Sequence, residues 1–163
     1  LDVRYNPGGM ITSVVEILDT ILPEGLLVYI EDKEGNRQEY TSKGNTYIDV
    51  PIAVLINEDS ASASEILAGA IKDYGYGTLI GTTTFGKGIV QSIFPLTDGD
   101  ALKLTTAKYF TPNGNYIHEV GIEPDIELEY EYLDPDGEEY ERQYDNQILK
   151  AIEVLNMELE LEK

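Results

Sequence analysis

Cysteine and tryptophan are absent from this chain of 163 residues, and histidine occurs once, at His118. Without cysteine the fold has no disulfide bonds and no thiol nucleophile. His118 lies in a turn-rich stretch beside Glu119, which is typical of a surface residue, and no partners for a Ser-His-Asp triad accompany it. Covalent chemistry in this chain would therefore need an activator other than histidine, and a lysine is the best candidate.

Positive charge is also scarce, since 11 basic residues face 31 acidic ones and the net charge is −20. Such a balance repels phosphate groups and anionic lipids, so neither nucleic acid nor a membrane surface is expected as a partner. No apolar run reaches the 18 residues that suggest a membrane-spanning helix. Residues 119–163 hold 16 acidic residues against three basic ones, which we interpret as a solvated acidic surface. A calcium site at residues 134–139 is an alternative, although the full spacing of oxygen ligands is missing.

Hydrophobic periodicity and turn residues predict alternating helices and strands. Helices are predicted at residues 10–22, 62–74 and 145–159, and strands at 1–4, 26–32, 38–42, 52–56, 78–80, 89–94 and 101–109. The alternation in the first half favours an α/β core. We expect one domain over residues 1–163, in which residues 127–163 form an acidic segment and a C-terminal helix. That helix is predicted to bury Ile148, Leu149, Ile152 and Leu155.

Ser62 lies in the run Asn-Glu-Asp-Ser-Ala-Ser-Ala-Ser-Glu. Ser62 and Glu65 have the spacing of a capping box, so one interpretation is purely structural. A serine between a buried strand and a helix would also present its hydroxyl near free backbone N–H groups at the positive end of the helix dipole. The Ala63 N–H would then be the nearest donor to the oxyanion of a tetrahedral intermediate. Ser60 and Ser64 compete with Ser62 for this role.

Lys87 follows 25 residues later, in the run Gly-Thr-Thr-Thr-Phe-Gly-Lys-Gly-Ile-Val-Gln. Residues 81–87 match most of a phosphate-binding loop, but Gly88 stands where that loop needs a hydroxyl, and a strand is predicted where it needs a helix. Nucleotide binding is therefore the weaker interpretation. A lysine in a half-buried pocket can instead act as a neutral amine that takes a proton from a serine. Gln91 lies four residues on, and in a strand it would share the face of Lys87 and hold the amine in position.

Five blocks of the sequence resemble the carboxy-terminal processing peptidases, also called tail-specific proteases. They are residues 1–9 (LDVRYNPGG), 57–65 (NEDSASASE), 81–91 (GTTTFGKGIVQ), 102–112 (LKLTTAKYFTP) and 121–125 (GIEPD). The resemblance implies a bacterial serine protease with a Ser–Lys dyad, which cuts protein or peptide substrates near their carboxy termini without a metal or cofactor. It also implies a crotonase-like α/β core, shared with the Clp-type protease subunit, and a location in the cell envelope or outside the cell.

The resemblance gives a role to six positions. Ser62 corresponds to the nucleophile, Lys87 to the general base, Gln91 to its positioning partner, Gly8 and Ala63 to the oxyanion-hole donors, and Asp73 to a supporting acid. The paired glycines 8–9 also suit that role on their own chemistry, since glycine lets a backbone N–H approach a ligand closely.

The chain also departs from the family. Tyr5 stands where an asparagine is common, and the family's upstream core segments and PDZ domain are missing from this sequence. Since the chain has no initiating methionine and opens inside a predicted strand, we expect it to be a catalytic-core excerpt of a longer protein. A different class of function stays open, namely a non-catalytic groove that binds peptide tails.

Overall fold

The computed structural model describes residues 1–44, 48–134 and 139–161. In chain order these residues form α1 (Ile11–Ile21), β1 (Gly25–Asp32), β2 (Arg37–Ser42), β3 (Ala53–Ile56), α2 (Ala63–Tyr74), β4 (Thr78–Gly81), β5 (Ile89–Pro95), β6 (Ala101–Phe110), β7 (Ile126–Glu127), a 3₁₀ turn (Arg142–Tyr144) and α3 (Asn146–Leu161). The helices and strands predicted between residues 10 and 110 are confirmed, with ends that differ by one residue. Among the described helices, none has the length and apolar character needed to cross a bilayer.

The strands form two sheets of different kinds. The first is antiparallel in the order β2-β1-β6-β5, and the second is parallel in the order β3-β4-β7. The first residues of the chain run beside β3, where the Val3 N–H donates to the Leu55 carbonyl at 3.0 Å and the Leu55 N–H donates to the Leu1 carbonyl at 2.8 Å. The strand predicted at residues 1–4 is therefore a single bridge between Asp2 and Leu55.

Strand β3 lies at the centre of the core, because all four of its residues are buried. Alternate side chains point to opposite faces of a strand. Val54 and Ile56 accordingly join the main apolar cluster with α1, α2 and β1, whereas Ala53 and Leu55 pack on the other face against α3. Helix α2 contacts β1 of the antiparallel sheet and β4 of the parallel sheet. The start of α2 is thus held between the two sheets.

Helix α3 is rotated differently from the prediction. Ile148 and Leu155 pack toward the parallel sheet as predicted, together with Ala151 and Val154. Leu149 and Ile152, which were predicted to be buried, are 39% and 51% exposed. The helix carries apolar residues on more than one stripe, so periodicity alone does not fix which stripe faces the core.

Asp145 fixes the start of α3. Its buried carboxylate accepts the N–H groups of Gln147 and Ile148, each at 3.0 Å, and it lies 2.9 Å from the Arg4 guanidinium. The Tyr140 hydroxyl donates to it at 2.8 Å. Burial alone would raise the pKa of Asp145, but the hydrogen bonds from Arg4, Ile148 and Tyr140 outweigh burial and lower it. Arg4 therefore ties the first residues of the chain to the last helix.

Candidate active site

A cleft of about 330 Å³ opens where α1 and α2 meet the antiparallel sheet. Four of the residues assigned a role from the sequence line this cleft, namely Ser62, Ala63, Lys87 and Gln91. They come from the start of α2, the loop before β5, and β5 itself. The fold therefore brings together residues that are up to 29 positions apart in the sequence.

Ser62 has an unusual backbone conformation at the entrance to α2. Its φ is +56° and its ψ is −115°, a region that residues with a side chain rarely adopt. One half of the predicted capping box is formed, since the Ser62 N–H donates to Glu65 Oε2 at 2.9 Å. The Ser62 hydroxyl makes no side-chain cap hydrogen bond, because the Glu65 N–H donates to the Ser62 carbonyl at 2.9 Å. The Ser62 hydroxyl therefore takes no part in capping α2.

The three competing serines differ in what their hydroxyls contact. The Ser60 hydroxyl is buried and donates to the Val3 carbonyl at 2.7 Å, and the Ser64 hydroxyl donates to the Asn6 carbonyl at 3.0 Å. Both are engaged in holding the first residues of the chain against the turn. Ser62 is the one that lines the cleft, and this position favours it over the other two as a nucleophile.

Glu65 joins the turn before α2 to the loop before β5. Its carboxylate is fully buried and accepts four hydrogen bonds, from the N–H groups of Ser62, Gly86 and Lys87 at 2.9, 2.7 and 2.8 Å and from the Thr84 hydroxyl at 2.7 Å. The sequence predicts only a helix cap at Glu65, because a capping box contains one of these bonds and gives no sign of the other three. A phosphate in loop 81–87 would need the same backbone N–H groups. Their use by Glu65, and the strand that follows the loop, both argue against nucleotide binding.

Lys87 is half-buried in the cleft, and its amine has no ion pair or hydrogen bond with any described residue. Gln91 is exposed and follows an irregularity in the β5–β6 pairing between Val90 and Gln91. It lines the same cleft, but no hydrogen bond joins it to Lys87 among the residues described. The positioning role of Gln91 therefore stays a prediction. Lys103 of β6 is a second cation in the cleft, which the sequence analysis missed.

The two predicted oxyanion donors differ in whether the N–H group already has a hydrogen-bond acceptor. The Ala63 N–H, at the first residue of α2, has no acceptor in the described part of the chain, as expected for the first turn of a helix. The Gly8 N–H donates to Asn6 Oδ1 at 2.9 Å, so this donor is occupied. Gly8 nevertheless lies against the Ser62–Ala63 backbone, since a Cβ built on it would be 2.7 Å from the Ala63 nitrogen. Gly9 lines the cleft.

Asp73 does not line the cleft with the other predicted residues, and its role as a supporting acid stays a prediction. It lies eleven residues beyond Ser62 near the end of α2, which is about 16 Å along a helix that rises ~1.5 Å per residue. Its carboxylate accepts the Asn113 N–H at 2.8 Å and the Asn115 side-chain amide at 3.3 Å. Asp73 therefore holds the turn after β6, a contact that the sequence pattern could not reveal.

Tyr109, to which the sequence assigns no role, forms a wall of the cleft. Its side chain is 4% exposed, and its hydroxyl donates to the Lys87 carbonyl and lies 3.4 Å from the Ser62 carbonyl. Burial, with a smaller effect from the Glu65 charge, raises the pKa of Tyr109. The hydroxyl is therefore a permanent donor.

His118 is placed near the site but not in it. Its Nδ1 lies 3.1 Å from the Gly86 carbonyl, and its ring contacts Tyr116. It is half-buried rather than on the open surface as predicted. The calcium alternative falls largely on residues 135–138, which lie outside the described residues. Across the described ranges there is no group of three or more His, Asp or Glu side chains arranged to hold a metal ion.

Comparison with known proteins gives one consistent family. Residues 1–128 match the model of peptidase family S41. The chain is 46% identical over 129 residues to the carboxyl-terminal-processing protease of Synechocystis sp., covering 79% of this chain and 30% of that protein. It is 36% identical over 162 residues to a probable CtpA-like serine protease of Staphylococcus epidermidis, covering 94% of this chain and 33% of that protein.

The solved structures agree with the sequence relatives. The photosystem II D1 C-terminal processing protease superposes with a TM-score of 0.77 at 42% identity, covering 82% of this chain and 35% of that one. The chain thus spans about a third of the length of the proteins it matches. The family model covers most of the chain and includes every position given a role from the sequence. With its α/β architecture, this chain belongs to peptidase family S41.

Proposed function

We propose that the protein containing this chain is a serine endopeptidase in which Ser62 is the nucleophile and Lys87 the general base. The observation that carries the proposal is that both residues line one cleft, where the Lys87 amine has no ion pair or hydrogen bond with a described residue and the Ser62 hydroxyl makes no cap hydrogen bond. An uncommitted hydroxyl and an uncommitted amine are what a serine–lysine pair requires.

The reaction would follow the usual two stages of acyl transfer. Ser62 Oγ attacks the scissile carbonyl while Lys87 Nζ takes its proton, and Lys87 then passes that proton to the leaving amine. In the second stage Lys87 takes a proton from the water that attacks the acyl-enzyme and returns it to Ser62 Oγ as the acyl bond breaks, which restores the hydroxyl and the neutral amine. The Ala63 N–H would stabilise the oxyanion of each tetrahedral intermediate, and its place beside Ser62 with no acceptor among the described residues supports this role.

A second oxyanion donor completes the proposal. The Gly8 N–H, assigned by resemblance, would serve only after its bond to Asn6 Oδ1 opens, because one N–H cannot serve both acceptors well. Its position against the Ser62–Ala63 backbone supports the assignment. Substrate entry would then exchange the Asn6 oxygen for the substrate oxyanion.

The substrates we propose are proteins cut near their carboxy termini. The support comes from relatives, which are named carboxyl-terminal-processing proteases in Synechocystis and Picosynechococcus. We also propose that the protein is bacterial and acts outside the cytoplasm, as its resemblance to the family implies. In support, one structural relative is a lipoprotein of Streptococcus agalactiae. Immunoblotting of cell fractions tests the location, and a purely cytoplasmic signal would contradict it.

A serine-directed fluorophosphonate probe tests the mechanism in the protein expressed from its complete gene. Ser62→Ala should abolish labelling, and Lys87→Ala should slow it at least about 100-fold, the lower end of what a general base contributes. Ser13→Ala and Lys33→Ala, two exposed positions away from the cleft, serve as matched controls. Full labelling of Ser62→Ala would refute the nucleophile, and an unchanged labelling rate in Lys87→Ala would refute the base.

The same experiment decides the non-catalytic alternative. A groove that only binds peptide tails would retain a fluorescent carboxy-terminal peptide but leave the probe unreacted. Because the Ser62 hydroxyl makes no cap hydrogen bond, Ser62→Ala should keep the wild-type melting temperature. Loss of labelling in that variant would then report on chemistry rather than on folding.

A further inference from the structure

The Tyr109 hydroxyl contacts the backbone of both proposed catalytic residues. It donates to the Lys87 carbonyl, and the Ser62 carbonyl lies 3.4 Å from the same oxygen. A single O–H can be shared between two acceptors in a three-centre hydrogen bond. Residues 62 and 87 come from separate segments, so this hydroxyl is a bridge between the two loops that form the cleft.

Glu65 contacts the same two residues through their N–H groups. Its Oε2 accepts the Ser62 N–H at 2.9 Å and the Lys87 N–H at 2.8 Å. Each of the two residues is therefore held at its N–H by an acidic acceptor and approached at its carbonyl by a hydroxyl donor. With both ends of a residue fixed, the direction of its Cα–Cβ bond is fixed as well.

The carbonyl contact has a further effect at Ser62. The C=O and N–H of a trans peptide point in opposite directions in one plane. The Ser62 carbonyl faces inward, since it accepts the N–H groups of Glu65 and Ile66 at 2.9 and 3.0 Å. The Ala63 N–H of the same peptide must then point the other way, out of the helix start. Whatever steadies the Ser62 carbonyl also aims the proposed oxyanion donor.

We propose that Tyr109 is a positioning residue, whose hydroxyl sets the separation of the Ser62 and Lys87 segments and the direction of the Ala63 N–H. The assignment rests on the proposed Ser62–Lys87 function. Tyr109 touches no reacting atom in this scheme and acts only through the backbone of its two neighbours. Because burial keeps the hydroxyl protonated, its contribution should be present over the whole working pH range.

Tyr109→Phe tests the proposal, since it removes the hydroxyl and keeps the ring. Labelling by the fluorophosphonate probe gives two numbers, an amplitude that counts competent molecules and a rate constant that reports the chemistry. Displacement of reacting groups by about 1 Å can cost ~100-fold, so we expect a rate constant about 10–100-fold lower at unchanged amplitude. With a peptide substrate, kcat should fall and KM should stay near the wild-type value, because the ring still lines the cleft.

Tyr74→Phe is the matched control. The Tyr74 hydroxyl also donates to a backbone carbonyl, that of Leu26 at 3.0 Å, and Tyr74 is not part of the cleft. Its loss should leave the labelling rate constant unchanged. A reduced amplitude in Tyr109→Phe with a wild-type rate constant would identify Tyr109 as merely structural and overturn the proposal.

A second substitution covers poor folding of the phenylalanine variant. 4-Aminophenylalanine at position 109 keeps an N–H donor and should recover most of the wild-type rate constant. Recovered stability without a recovered rate would overturn the assignment. A labelled wild type with an unaffected Tyr109→Phe variant refutes the positioning role alone, whereas an unlabelled wild type refutes the proposed function together with it.

Discussion

Two fully buried carboxylates hold the molecule together, and they do so in different ways. Asp145 lies beside the Arg4 guanidinium at 2.9 Å, so a positive charge compensates it. Glu65 binds three backbone N–H groups and one hydroxyl, and no basic side chain forms an ion pair with it in the described ranges. An ion pair connects two side chains, whereas a carboxylate surrounded by N–H groups connects backbone segments.

The difference matches the location of each group. Asp145 anchors α3 on the far face of the parallel sheet, away from the cleft. Glu65 joins the segments of the two residues proposed for catalysis, and all four of its donors are neutral groups. Binding Glu65 through neutral donors fixes the loops without adding another cation to those in the cleft. One buried carboxylate therefore anchors the last helix, and the other joins the two segments that form the proposed active site.

The largest effect is expected from Glu65→Gln. The glutamine NH₂ would replace one carboxylate oxygen and face its two donors, so up to two donors would lose their acceptor at about 1–3 kcal/mol each. Because the loops of Ser62 and Lys87 would separate, the labelling rate constant should also fall by about 100-fold. Glu16→Gln makes the same chemical change at an exposed position of α1. Chemical denaturation and probe labelling measure the two effects, and a variant that loses stability but labels normally would break the assignment of Glu65 to the site.

Arg4→Ala should destabilise the fold without slowing the chemistry of folded molecules. Removing one partner of a buried ion pair costs about 3–5 kcal/mol, because the other charge is left uncompensated. Arg37 pairs with Glu31 at 2.7 Å on the surface, so Arg37→Ala should cost only about 0–1 kcal/mol. Denaturant titration compares the two losses. Equal losses in both variants would mean that burial of the Arg4–Asp145 pair contributes nothing.

A smaller effect is expected from pH at Asp145. Its pKa is lower in the folded protein than in the unfolded chain, so the ionised form stabilises the fold above the unfolded value. That stability should disappear as pH falls below about 4, the ordinary value for aspartate, and through the folded pKa. Asp145→Asn removes the titration, so its deficit against wild type should shrink over this range. A deficit that stays constant from neutral pH to pH 3 would contradict the lowered pKa.

The order of elements up to residue 110 was readable from the sequence because each depends on local chemistry. The continuous apolar run at β3 predicts a buried strand, and the Ser62–Glu65 spacing predicts the start of α2. Ser62 and Lys87 could be chosen because each lies in a short motif that resembles the family. Each of these predictions depends only on residues that are close together in the sequence.

What the sequence did not predict depends on contacts between distant segments. The rotation of α3 depends on its packing against the parallel sheet, and its start is held by Arg4, which is 141 residues away from Asp145. The role of Tyr109 depends on two loops that meet only in the fold, and the occupied Gly8 N–H depends on where the Asn6 side chain points. Asp73 was assigned by resemblance, and distance along α2 separates it from the cleft. Periodicity and motif spacing carry no information about such contacts.

The paired glycines beside Ser62 should differ sharply in how much variation they permit. Gly8 has a φ of +92°, and a Cβ there would lie 2.5 Å from the Ala61 carbonyl oxygen, whereas a Cβ at Gly9 meets nothing within 4 Å. Every missense codon change at position 8 therefore introduces both a clash and a disfavoured backbone. In a saturation library selected for activity, position 8 should return glycine alone, and position 9 should at least accept alanine. The structure thus requires glycine at position 8 but not at position 9, although the two residues are neighbours of the same type.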